Sequence, residues 1–144
     1  MCKIGDIIII NHFKNEMGED VSRHPFVVLS TKNGMIKSMR FDIVAILMSS
    51  FKNEIHREKK LAYDVNFEIK KEEGVKKDSF LKGNQLYCFQ RDKTDFFKVG
   101  SIDIDVFLEL RKEIKILAKE RKAIFILTNL DCDEIEEDEL ELEM

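Results

Sequence analysis

Through the first hundred residues the apolar positions come in short blocks broken by polar clusters, and only after Ser101 do they settle into a spacing near four. Gly5-Asp6 followed by Ile7–Ile10 predicts a turn feeding a strand, because short β-branched runs favour sheets. Residues 14–22 have no apolar period and predict an exposed loop. PFVVLST, Pro25–Thr31, predicts a second strand with the proline at its first position, where a missing N–H matters least. Asn33-Gly34 then predicts a tight turn. Ile36–Phe41 and Asp42–Met48 supply further strands, the second apolar enough for the middle of a sheet and ended by Ser49-Ser50. Phe51–Lys60 reads as a charged loop. Leu61–Ile69 alternates like a strand, with Tyr63, Val65, Phe67 and Ile69 on one face. Lys70–Asp78 is a charged connection. Short strands follow at Ser79–Leu81, Leu86–Phe89 and Phe96–Ser101, with turns at Gly83-Asn84 and Asp92–Asp95.

Val106, Leu110, Ile114 and Leu117, with Phe107 beside them, predict an amphipathic helix, and either Ser101 or Asp103 can cap its start. Ala123–Leu130 suits helix or strand equally. Many short strands closed by one helix predict a mainly β fold with a C-terminal helix, a small and strongly bent barrel rather than a βαβ sheet.

Length and charge refine this picture. At 144 residues the chain predicts one domain over 1–130, followed by an acidic tail at 131–144. Nine of the 28 acidic residues and none of the 24 basic ones lie in that tail, so the net charge of -4 conceals a body with 24 basic and 19 acidic residues, +5. Such a body can attract a polyanion. The tail predicts a solubilising segment, or a plug that imitates RNA over a basic groove. Cys2, Cys88 and Cys132 are odd in number and far apart, which predicts neither a disulfide framework nor a zinc site and fits a reducing cytosol. The four isoleucines are too short a run for a secretory leader, and no stretch approaches a membrane span. Asp42, Asp92, Asp95, Asp103 and Asp105 are too scattered to hold a cation, so no metal or other cofactor is expected.

The order of elements resembles the MazF/PemK toxin family. Gly5-Asp6-Ile7-Ile8 opens the first strand, Arg23-His24-Pro25-Phe26 opens the second, and Val44–Ser50 ends in hydroxyl residues where the family has a threonine or serine. Asp78–Leu81, Asn84-Gln85-Leu86 and Gly100-Ser101 before a helix are similar to the late segments, so the likeness runs from about residue 3 to 117. The resemblance implies an SH3-like small β-barrel, cleavage of single-stranded RNA without a metal, a homodimer, an antitoxin partner and a cytoplasmic location. In the family the arginine directly precedes the proline, whereas here His24 does so and Arg23 stands one place earlier. Neighbouring strand side chains point to opposite faces, so the shift matters, and the reading requires Arg23, His24 and a serine of the Ser49-Ser50 pair to converge on one pocket.

Cleavage through the RNA's own 2′-hydroxyl needs a base, a proton for the leaving oxygen and support for the phosphorane charge. Arg23 would stabilise that charge, His24 would move the proton, and Ser49 or Ser50 would hydrogen-bond a non-bridging oxygen. Lys14, Lys52, His56, Arg57, Lys59 and Lys60 would attract the RNA backbone. Phe13 and Phe51 could stack on bases or belong to the core. Cys88, in an apolar strand, reads as core. The alternative is a non-catalytic barrel that binds RNA or protein.

Overall fold

The computed structural model describes residues 2–63, 65–120 and 123–130; the acidic segment 131–144, and with it every expectation about the tail, lies outside the described residues. The fold is mainly β with two helices. In chain order the elements are β1 (Asp6–Lys14), β2 (Asp20–Ser30), β3 (Gly34–Ile36), β4 (Met39–Phe41), β5 (Ile43–Ser50), α1 (Glu54–Leu61), β6 (Asn66–Ile69), β7 (Ser79–Phe89), β8 (Phe96–Ser101), α2 (Ile104–Lys119) and β9 (Ile124–Leu127). The main sheet runs β6-β7-β5-β2-β1-β8, with β9 parallel to β7, while β3 and β4 form a separate hairpin. This hydrogen-bonded path does not close on itself among the described strands. Nor is any described helix long and apolar enough to cross a membrane.

Two cores lie on the two faces of the sheet. One packs Ile7, Val27, Ile46 and Leu81 under Phe107, Leu110 and Ile114 of α2, which buries the apolar stripe read from the sequence. Asp103 caps that helix through the Asp105 N–H. The other core has no helix over it among the described residues and is filled by Ile8, Ile10, Phe13, Phe26, Val28, Leu47, Tyr87 and Phe89. It buries itself by curling. Phe13 on β1 and Tyr87 on β7 are three strands apart, about 14 Å in a flat sheet, yet their rings meet edge to face with centroids 5.5 Å apart.

Residues 123–130, undecided between helix and strand, form β9 and tie the curl together. Gln85–Cys88 of β7 pair with Ile124–Leu127. Just beyond, the Lys14 N–H donates to Thr128 Oγ at 2.8 Å and Asn129 Nδ2 donates to the His12 carbonyl at 2.8 Å. This short segment therefore bonds both β7 and β1.

Several expected elements differ. The loop expected over 14–22 shortens to residues 15–19, because β1 and β2 pair as far out as Lys14 with Asp20. Pro25 consequently sits inside β2 rather than at its start. It is tolerated because β2 pairs with β5 only from Phe26 onward. The tight turn is not Asn33-Gly34 but Lys37-Ser38, both at positive φ, as the hairpin between β3 and β4 requires. Residues 54–61 form a helix instead of a loop, begun by Asn53, whose side chain accepts the His56 N–H. The strand expected over 61–69 shrinks to β6 and leaves Tyr63 exposed. The two strands expected around Gly83-Asn84 are one, β7, kinked rather than turned. Residues 82–85 of β7 stand opposite Leu47 alone, a bulge that bends the strand. Gly83 is needed there because a Cβ would strike the Phe67 ring and the Val65 carbonyl.

Candidate active site

The Gly5-Asp6 pair is structural. Asp6 is buried, accepts the Lys3 N–H at 2.7 Å and pairs with Lys98 Nζ at 3.2 Å, fixing the start of β1. Beside β1, next to the core under α2, lies a cavity of about 660 Å³ to which β2, β5, β8 and the connection before β7 contribute. Its apolar wall is Ile7, Ile9, Pro25, Met48, Val75 and Val99. Among the described residues, its charged side chains are Arg23, Lys52, Lys76 and Lys77, and no carboxylate lines it. Arg23, His24, Ser49 and Ser50 all face this one space.

Arg23 and His24 line the same cavity although a regular strand would point neighbours apart, and the backbone shows why. Arg23 has φ 26°, left-handed for a residue inside a strand. Ile10 pairs with His24 and His12 with Ser22, but the intervening Asn11–Arg23 pair is missing from the ladder. His24 cannot take up the irregularity, since the residue before a proline is held extended. Arg23 takes it up instead, strict alternation fails at that step, and consecutive side chains reach the same cavity. The guanidinium lies over the Phe97 ring, 5.4 Å from its centroid, which holds the charge in place.

His24 is half-buried, and its Nε2 lies 2.9 Å from the Met48 carbonyl. A carbonyl only accepts, so this partner assigns the proton to Nε2. Ser49 Oγ lies 3.5 Å from the same nitrogen, a long contact. Nδ1 has no hydrogen-bond partner among the described residues, so its lone pair is available to the cavity. Burial lowers the His24 pKa below the ordinary 6.5; the Met48 bond opposes this and the charge of Lys82 adds to it. The imidazole is therefore neutral near pH 7, with its basic nitrogen free.

Among the residues expected to attract RNA, only Lys52 lines the cavity. Lys14 lies at the far end of β1, where its backbone is bonded to Thr128. His56, Arg57, Lys59 and Lys60 belong to α1, which spreads their side chains round its axis instead of along one loop edge. Arg57 is engaged by Glu68, with Nε–Oε2 at 2.9 Å and Nη2–Oε1 at 3.0 Å, and is not a free phosphate contact. His56 Nδ1 accepts the Lys52 N–H at 3.1 Å, and desolvation together with Lys60, Lys52 and Lys59 lowers its pKa. Phe13 is buried in the core, and Phe51 stacks on Phe80 at 5.1 Å. Cys88 is fully buried with its thiol pushed up to about 12 by desolvation, which leaves no thiolate for attack.

The sequence reading missed Lys76 and Lys77. Their placement follows from Val75, which is buried in the α2 core, and from Gly74 at φ 118°, where a Cβ would lie 2.5 Å from the Ser101 carbonyl oxygen. A single valine next to a glycine in an otherwise charged stretch was the available signal. Among the described residues, no cluster of three or more His, Cys, Asp or Glu side chains could hold a metal ion. Comparison with models of protein families and with curated proteins finds no match for the chain.

Proposed function

We propose that the protein is an endoribonuclease that cuts single-stranded RNA by 2′-hydroxyl transesterification, without a metal, on an SH3-like barrel of the MazF/PemK kind. The observation that carries this reading is the meeting of Arg23, His24, Ser49 and Ser50 in a cationic cavity that, among the described residues, no carboxylate lines. A phosphodiester suits such a space. His24 Nδ1 takes the proton from the 2′-hydroxyl while Nε2–H stays on the Met48 carbonyl, which keeps the ring oriented. The 2′-oxygen bonds to phosphorus and the bond from phosphorus to the 5′-oxygen breaks. The leaving oxygen takes a proton from a lining ammonium group or from water. Arg23 and a serine hydroxyl hold the extra phosphorane charge. The products are a 2′,3′-cyclic phosphate and a 5′-hydroxyl.

The resemblance adds a homodimer, an antitoxin that covers the cavity and a cytoplasmic setting, in which the buried free thiols of Cys2 and Cys88 would stay reduced. The purified protein in EDTA should cut an unstructured RNA to those termini and leave the all-deoxy strand of the same sequence intact. Arg23→Ala should lower kcat about 100-fold or more, the scale of losing one transition-state donor. RNA left intact by the wild type would sink the nuclease. It would favour the second reading, a non-catalytic binding barrel in which the bond from His24 to Met48 merely secures β2 beside Pro25.

A further inference from the structure

The apolar wall of the cavity is more than a phosphate needs. Phosphate would be held by Arg23, Lys52, Lys76 and Lys77, yet six apolar side chains share the lining. Beside them stands Phe97, 40% exposed although it is a large aromatic in the middle of β8. Its cross-strand partner is Ile9, which lines the cavity, so the two project to the same face of the sheet. Val99, 47% exposed and two residues further along β8, lines the cavity as well. Phe97 is also the ring over which the Arg23 guanidinium rests.

We infer that Phe97, with Ile9, Pro25 and Val99, forms a shelf on which an unpaired nucleobase stacks while Arg23 holds the phosphate of the same nucleotide. The occupant is an aromatic anion by charge complementarity: among the described residues the cavity offers four cations and no carboxylate, and the aromatic surface adjoins one of those cations. An anion lacking a base would leave Phe97 and Val99 in water. Stacking is tolerant of base identity because every base has a π-face, so the shelf recognises a base without selecting one. It would register the strand beside the reacting phosphate. The inference rests on the cavity's taking a phosphodiester, the reading proposed above.

The test is a titration of the full chain at low salt with inorganic phosphate, ribose 5-phosphate, adenosine 5′-monophosphate and uridine 5′-monophosphate, followed by the amide resonances of Arg23, Phe97 and Val99. Both nucleotides should bind about 10- to 100-fold more tightly than ribose 5-phosphate, the value of one stacked base. In Phe97→Leu the ratio should collapse to about one, and in Phe97→Tyr it should survive. Nucleotides that bind no better than ribose 5-phosphate overturn the shelf and leave the phosphate site standing. A ratio that persists in Phe97→Leu overturns the role of Phe97. Failure of all four ligands removes the phosphate reading and the shelf with it.

Discussion

Arg23 and His24 divide two tasks that a regular strand would separate. Arg23 occupies a conformation that costs a non-glycine residue about 1–3 kcal/mol, and the expense is met at the residue whose charge is needed. Replacing it with glycine removes the strain but adds unfolded-state freedom. Arg23→Gly should therefore raise unfolding stability by about 1 kcal/mol in urea titrations while RNA cleavage is lost; a stability drop would show that the backbone there is not strained. His24 carries the pH dependence. Its folded pKa is depressed below the unfolded 6.5, so the unfolded chain binds the proton first. The stability linked to His24 is complete above pH 6.5 and is lost as pH falls toward the folded value. His24→Asn should flatten that slope. In the wild type the acid limb of kcat/KM, which reports the free protein, should lie below the ordinary histidine range, since in the proposed reaction only the neutral imidazole accepts the 2′-hydroxyl proton.

Among the elements, the connection before β7 matters more to the site than its lack of strand or long helix suggests. Its lysines are held by Gly74 at a backbone angle reserved for glycine and by Val75 in the core, and the Asp103 N–H donates to the Glu73 carbonyl beside them at 3.0 Å. Gly74→Ala should cost about 1–3 kcal/mol and weaken phosphate binding together with stability, measured by urea unfolding and by titration. Arg57→Met should leave RNA affinity unchanged, because that guanidinium is already occupied by Glu68. The sequence was legible where side chains decide: the α2 stripe, β8 at its full extent and the apolar centre of β5 all stand as read. It was opaque where a partner decides. The kink at Gly83 depends on the Phe67 ring, 16 positions earlier, and the α1 segment has so little apolar face that only the Asn53 cap announced a helix. The convergence of Arg23 and His24 was expected from the resemblance alone, because strand periodicity assumes an unbroken pleat and points neighbours apart.

For the whole molecule, the four lining cations set the scale of the electrostatic contribution. Each phosphate contact to a single strand contributes about 0.7 to the slope of log affinity against log salt, so four contacts give about -2.8. A measured slope much steeper than this would mean that cations outside the cavity, such as those of α1, also grip the strand. The second core explains why the molecule needs no helix on that side: the sheet rolls until β1 and β7 share aromatic contacts, and Phe13, offered above as a stacking residue, is one of the side chains that makes the roll possible.

The parallel strand β9 has a consequence for biosynthesis. While a ribosome still shelters residues 124–129, β7 has β5 on one side but lacks β9 on the other along Gln85–Cys88, and the Lys14 N–H lacks the Thr128 hydroxyl, although β1, β2, β5 and the residues facing the cavity have already emerged. The nascent chain thus presents the residues of the cavity before β9 fastens the curl of the sheet.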